Sequence, residues 1–281
     1  MRYLSYYDAD HAVRPGFVDG DNVRVIEVSS MREYIALAPR ERAAYHSDRT
    51  LSLAGLRLAA PVLPQRNVFC VGRNYLAHAK EGARAAGREL KLPDVPTFFT
   101  KAPTAIADPD AVLHLQGRVS SEYDFEAELG IVIGTRCKDV APGEAFGVVF
   151  GYTCVNDVTA RDLQRAHVQW FKGKSLDDTC PIGPAIVSAD EVQDPQNLAI
   201  GITIDGVRKQ NGSTADMIFT IPRLIAELSK GMTLLPGDVI ATGTPDGVGF
   251  ARTPPEFLHD GTEMAVEIER IGVLRNRIGL T

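Results

Sequence analysis

Apolar positions along this chain fall into short runs rather than long helical stripes. NVFCVG, TFFT, GIVIG, VVFGYTCVN, GPAIV, LAIGITIDG, DVIATG and EMAVEIERIG are rich in β-branched and aromatic residues and predict strands. Beyond the first sixty or so residues, helical spacing is confined to LAHAKEGARAAG, TARDLQRAH and IPRLIAELSKG. Strand and helix do not alternate regularly, which argues against a doubly wound parallel sheet. The pattern predicts an α+β, β-dominated domain over residues 65–281. Residues 1–64 read as a small N-terminal α+β domain: RYLSYY and NVRVIEV are strand-like around the turn-rich VDGDN, and SMREYIALAPRERAAYH is helix-like. The two prolines of APVLPQRN, Ala60 to Asn67, mark the boundary.

One stretch breaks the ordinary pattern. In SEYDFEAELGIVIG, Ser121 to Gly134, the acids Glu122, Asp124, Glu126 and Glu128 alternate with Tyr123, Phe125, Ala127 and Leu129. A strand's period of two sets all four carboxylates on one face, with next-but-one neighbours about 7 Å apart. Two readings follow: an edge strand with a solvated acidic face that discourages pairing, or a strand facing a cation.

Composition narrows the classes. A formal net charge of -6 and a pI near 5.6 argue against nucleic acid or an anionic membrane as the partner. No apolar run approaches the ~18 residues of a membrane span, and MRYLSYYDADHAVRPG meets acids too early for a signal-peptide core. Cys70, Cys137, Cys154 and Cys180 form no CxxC pair and sit among apolar residues, as buried thiols do. The expectation is a cytoplasmic protein.

Further constellations carry chemistry. In CVNDVTARDLQ, Asp157 follows an apolar run and precedes a helix, so it is either a helix N-cap or a ligand. Joined to the ExE of Glu126 and Glu128, it makes a set of hard oxygen donors suited to Mg²⁺ or Mn²⁺. His78 and Glu81 in GRNYLAHAKE are spaced i, i+3 and share a helix face, either as a surface contact or as a carboxylate-supported general base. Lys101, Lys172 and Lys174 stand in apolar, Gly- and Pro-rich surroundings, where a lysine needs an anionic partner if it is buried. MTLLPGDVIATGTPDGVGF lacks the P-loop spacing, but its Gly-Thr turn has N–H groups able to cradle a carboxylate. EGARAAGRELKLPDVP, Glu81 to Pro96, is charged and poor in large apolar groups, which suits a lid that orders over a ligand.

Taken together, GRNYLAHAKE, FFTKAPTA, DFEAELGIVIG, GYTCVNDVTARDLQ, QWFKGKSLDDTCPIGP, MIFTIPRLIAELSKGMTLLPGDVIATGTPDGVG and IERIGVLRNRIG resemble, in order, the fumarylacetoacetate hydrolase family from about Val68 to Gly279. The resemblance implies a mixed β-roll assembled as a homodimer. It implies a Mg²⁺ or Mn²⁺ held by Glu126, Glu128 and Asp157, and a water-activating pair at His78 and Glu81. Lys174 takes the place of the family's GKS lysine, and Thr244 that of its substrate-carboxylate contact. Arg73, Tyr75, Lys101, Arg161 and Gln164 match pocket positions. Asp124 is expected to support the metal site, and Glu122 to be solvated. The small N-terminal unit resembles the variable leading domain of many members.

The resemblance also implies a small-molecule 2-oxo acid substrate. The favoured expectation is a hydrolase that cleaves an acylpyruvate such as fumarylpyruvate or maleylpyruvate to pyruvate and an acid. In that scheme His78 activates water, Lys174 stabilises the oxyanion, and the metal stabilises the departing enolate. Its rivals within the family are oxaloacetate decarboxylation, isomerisation or decarboxylation of hydroxymuconate-type dienes, sugar-acid dehydration and ureidoglycolate cleavage. A metal-dependent ligand-binding protein without catalysis, or a purely structural β-protein, stands outside it.

Overall fold

In the computed structural model, which describes residues 1–87 and 89–281, the acidic stretch leads into the most enclosed strand of the protein. Ala127–Ile133 is buried along its whole length because it pairs antiparallel with Val149–Asn156 on one side and Val239–Ala241 on the other. The edge-strand reading is therefore excluded. The surrounding sheet runs His46–Ser52, Asn22–Ile26, Val13–Asp19, Arg2–Tyr7, Cys180–Ser188, Val149–Asn156, Ala127–Ile133, Val239–Ala241, Val68–Gly72 and Thr97–Lys101. Parallel and antiparallel pairs mix in it, since Val68–Gly72 runs parallel to Val239–Ala241.

A second sheet of five strands lies against the first: Val207–Ser213, Ala199–Ile204, Glu263–Ile268, Gly272–Leu280 and Val112–Leu115. The period of two explains how they meet. Ala127, Leu129, Ile131 and Ile133 enter one apolar cluster with Ile200, Ile202, Val266 and Leu274 of the second sheet. Val132 points the other way, into a cluster with Val155, Ile186 and Val239. Glu128 shares the parity of Val132, so the acidic face lies opposite the main core rather than in solvent.

The predicted helices form as Leu76–Ala85, Arg161–Ala166 and Ile221–Ser229. Ile221, Leu224, Ile225 and Leu228 give the last one a buried stripe at helical spacing. SMREYIALAPRERAAYH forms only Met31–Ala36, capped by the Ser30 side chain, and a short 3-10 turn at Arg42–Tyr45, with Pro39 between them. Several strands carry too weak an apolar signal to be read from the pattern, among them His46–Ser52, Val207–Ser213 and Val13–Asp19, whose Pro15 and Gly16 mimic a turn. Arg2–Tyr7 pairs with Cys180–Ser188, so the N-terminal strands extend the large sheet, and Tyr3 and Tyr34 pack on Phe150. Among the described residues no helix is long and apolar enough to cross a membrane. All four cysteines are free, with only Cys137 less than fully buried.

Ile131 is fully buried in the contact between the sheets. Ile131→Ala should cost about 2–5 kcal/mol, whereas Val207→Ala at an exposed position should shift stability by less than about 0.5 kcal/mol. Urea unfolding of both variants checks this; equal midpoints would mean that the sheets are not held by this layer.

Candidate metal and catalytic site

The acidic stretch and the NDVTA segment are bound to each other by backbone and side-chain hydrogen bonds. Tyr123–Asp124 pairs antiparallel with Thr159–Ala160. The Asp157 N–H donates to the Glu126 carbonyl at 2.9 Å, and the Glu126 N–H donates to Asn156 Oδ1 at 3.1 Å. These contacts bring Glu126, Glu128 and Asp157 together, with one carboxylate oxygen from each within 4.8 Å of the others. Asp157 caps no helix: Arg161–Ala166 begins at Ala160 without a side-chain cap.

Three buried cations surround the acids. Lys174 Nζ donates to Glu126 Oε2 at 2.8 Å and Asp157 Oδ2 at 2.7 Å. Lys101 Nζ, with no exposed surface, donates to Asp157 Oδ1 at 2.7 Å and the Val158 carbonyl at 3.0 Å. Arg161 donates to Asp124 Oδ2 at 2.9 Å and Glu126 Oε1 at 2.6 Å, with its guanidinium 4.3 Å from the Phe250 ring centre. Asp124 itself is fully buried and also accepts the N–H of Phe250 at 2.8 Å. It orients Arg161. Glu122 instead pairs with Arg165 near the surface.

The charges do not balance evenly. Burial raises the pKa of Glu126, but Lys174, then Arg161 and His78, outweigh it and hold the group well below the usual carboxylate range. Glu128 is pushed well above that range by burial, then by Asp157 and Glu126 beside it. Lys174 nearby, and then the Gly243 N–H donated to Oε2 at 2.8 Å, offset this only in part. Three clustered carboxylates, one of them without a cationic side chain, are a donor set that fits a hard divalent cation.

The base pair and the turn complete the site. His78 Nδ1 lies 2.9 Å from Glu81 Oε1 on helix Leu76–Ala85, and Glu81 Oε2 accepts the Gly247 N–H at 2.9 Å. Glu81 therefore fixes the imidazole and ties it to the Gly-rich turn. That turn does cradle a carboxylate, the one on Glu128. Gly243 is required there: its φ is +95°, and a Cβ would lie 2.8 Å from Asn74 Cβ. Gly173 is required for a different reason, since a Cβ would lie 2.5 Å from the Gln164 nitrogen and push Lys174 away from the acids.

The remaining sequence-derived positions separate. Thr244 is buried, and its Oγ1 accepts from Gln210 at 2.8 Å. Gln164 accepts from Arg161 Nη1 at 3.0 Å. Tyr75 is buried, and its hydroxyl has no hydrogen-bond partner among the described residues. Arg73 is exposed, with its guanidinium 5.6 Å from the Trp170 ring centre. Lys172 is exposed as well. Of the Glu81–Pro96 stretch, Glu81 to Ala85 belong to the helix and residues 89–96 form no regular element, with Arg88 outside the described residues.

Two residues that sequence reasoning passed over are structural hubs. Asn74, fully buried, donates to the Thr242 and Phe219 carbonyls and accepts the Phe219 N–H at 2.8 Å. Gln210 is the other. Asn74 sits inside the quoted GRNY motif, where a buried amide beside a tight turn was the available signal; Gln210 lay in a polar run with none.

The family profile described as "Fumarylacetoacetate (FAA) hydrolase C-terminal" matches residues 67–279. "Oxaloacetate tautomerase YisK" of Bacillus subtilis (strain 168) is 46% identical over 229 residues, covering 81% of this chain and 75% of that protein. "Oxaloacetate tautomerase FAHD2A, mitochondrial" of Homo sapiens is 38% identical over 297 residues, covering 98% and 91%. The solved fumarylacetoacetate hydrolase of Exiguobacterium antarcticum superposes with a TM-score of 0.86 at 39% identity over 100% of both chains.

The uneven charge makes a prediction that separates metal binding from folding. Glu128→Gln retains an acceptor for Gly243 but removes the repelled charge, so the metal-free variant should be more stable than wild type by on the order of 1 kcal/mol. Wild type should gain about 2–4 kcal/mol from Mg²⁺ or Mn²⁺ at 100 to 1,000 times the dissociation constant, and the variant little. Thermal melts with and without metal decide; equal stabilisation of the two proteins would remove Glu128 from the ligand set.

Proposed function

Because the chain belongs to the fumarylacetoacetate hydrolase family, we propose that it is a divalent-metal-dependent enzyme that moves a proton on a small 2-oxo dicarboxylate, its reaction being the keto–enol interconversion of oxaloacetate. The observation that carries this reading is which charged groups are left uncommitted. Lys174, the oxyanion stabiliser in a hydrolytic scheme, bridges Glu126 and Asp157. Arg161 is held by Asp124 and Glu126, and Lys101 by Asp157. Among the described residues of the site, His78 with Glu81 is the acid–base pair not tied to the acid cluster.

One base suffices to move a proton between carbon and oxygen. Hydrolysis of an acylpyruvate asks in addition for a placed water, an oxyanion donor and a broken carbon–carbon bond. The names of the two curated relatives above, both oxaloacetate tautomerases, favour the simpler chemistry over the acylpyruvate hydrolase expected from the sequence.

Glu81 accepts from Nδ1–H, which leaves the Nε2 lone pair of His78 to take a proton from C3 of the substrate and return it to the C2 oxygen. The cation that Glu126, Glu128 and Asp157 would hold supplies Lewis acidity, making the C3 proton easier to remove. Lys174 and Arg161 keep the Glu126 carboxylate ionised and aimed. The Thr244 hydroxyl serves as a donor to a substrate carboxylate. Arg73, exposed beside Trp170, would meet a second carboxylate with charge.

Enol absorbance of oxaloacetate tests the proposal. The metal-loaded protein should accelerate the interconversion, and His78→Ala or Glu81→Gln should slow it by roughly 10²- to 10⁴-fold while the metal-induced rise in melting temperature persists. Rapid pyruvate release from fumarylpyruvate, with no effect on the enol, would restore the hydrolase reading.

A further inference from the structure

Gln210 lies between the motifs quoted for the family resemblance, on strand Val207–Ser213 of the second sheet, yet its buried side chain reaches the Gly-Thr turn. Its hydrogen bonds leave no freedom of orientation. Oε1 accepts the Ala127 N–H at 2.9 Å, so the oxygen must face that backbone. The amide nitrogen then donates to the Pro245 carbonyl at 2.7 Å and to Thr244 Oγ1 at 2.8 Å. An amide nitrogen offers hydrogens and no lone pair. Thr244 Oγ1 is therefore compelled to accept, and its own hydrogen has to point elsewhere. Among the described residues that hydrogen meets no acceptor.

The placement matters because both ends of the contact adjoin the acids. Ala127 stands between Glu126 and Glu128, and Thr244 follows the Gly243 N–H that holds Glu128. Gln210 thus ties the metal-ligand strand to the Gly-Thr turn and sets the polarity of a hydroxyl beside it. A free hydroxyl presents lone pairs as readily as its proton, which repels an anion. One whose oxygen is already taken presents only the proton, and a hydrogen bond to a carboxylate is the strong kind.

We infer that Gln210 is a positioning residue that fixes Thr244 as an obligate donor to a carboxylate oxygen of the bound 2-oxo acid. The inference rests on the proposed function in taking the ligand to be a carboxylate. It assigns to the second sheet a part in anion recognition, performed by a neutral side chain that does not itself touch the ligand.

A double-mutant cycle reads this directly, with oxalate titrated calorimetrically into the Mg²⁺-loaded protein. Gln210→Met removes both amide donors and Thr244→Val removes the hydroxyl. Each should weaken oxalate by roughly 10- to 100-fold, the worth of one hydrogen bond to a charged group. The double variant should bind no more weakly than Thr244→Val alone, since Gln210 acts only through that hydroxyl. The near-isosteric Gln210→Glu offers Thr244 an acceptor and should turn its proton away from the ligand, weakening oxalate while the Mg²⁺-induced rise in melting temperature stays. It also carries the cycle if Gln210→Met does not fold. Losses that add in the double variant, or unchanged oxalate affinity in both Gln210 variants, overturn the inference. If wild type left the enol of oxaloacetate at its background rate while the oxalate cycle stayed coupled, the proposed reaction would fall and the role of Gln210 would stand.

Discussion

The burial of four carboxylates among three cations is the constraint on which the rest of the structure depends. Asp124, Glu126, Glu128, Asp157, Lys101, Arg161 and Lys174 are all between 0% and 5% exposed. Each such ion costs several kcal/mol to remove from water, and only close, fully hydrogen-bonded partners recover it. The surrounding elements serve that requirement. Lys101 ends strand Thr97–Lys101, Lys174 ends a one-turn helix, and Arg161 opens another helix, so three separate segments converge on Asp157 and the acidic stretch. Among the described residues, Glu128 is the one of these four acids with no ion pair to a lysine or arginine, and a divalent ion would fill that deficit.

A site of this kind is only partly written in local sequence. The ExE alternation was legible because strand parity alone aligns Glu126 with Glu128, and the i, i+3 spacing alone joins His78 to Glu81. The apolar, Gly- and Pro-rich surroundings of Lys101, Lys172 and Lys174 called for an anionic partner on burial without saying which of them would be buried. Nothing local distinguished Lys172, two residues away and exposed, from Lys174. The difference is made by Gly173, which lets one helix approach the other, and that contact exists only once both are folded.

The fold was legible to a similar depth. Strands with continuous apolar runs, such as Val149–Asn156, declared themselves, because burial on both faces demands such a run. Strands with one wet face and few apolar residues did not. His46–Ser52 is mostly polar, and its place in the sheet comes from pairing with Asn22–Ile26 rather than from its own composition. The same holds for Gln210: within VRKQNGS nothing marks one amide as buried, and its role appears only when the two sheets meet.

The same buried network also bears on how one scaffold hosts several reactions. An acid cluster built largely from paired buried ions is expensive to alter, since removing one partner strands another charge in the interior. The groups free to vary are those outside the pairing: the His78–Glu81 pair on its helix, the exposed Arg73 beside Trp170, and the irregular stretch at residues 89–96. On the proposed reading, the acid cluster would fix where a 2-oxo acid is held. What happens to it depends on whether a base, a placed water or an additional donor stands at the reacting atoms. On that reading the cationic donors are committed to the acid cluster and the His78–Glu81 pair is not, which supports the proposed proton transfer over cleavage of a carbon–carbon bond.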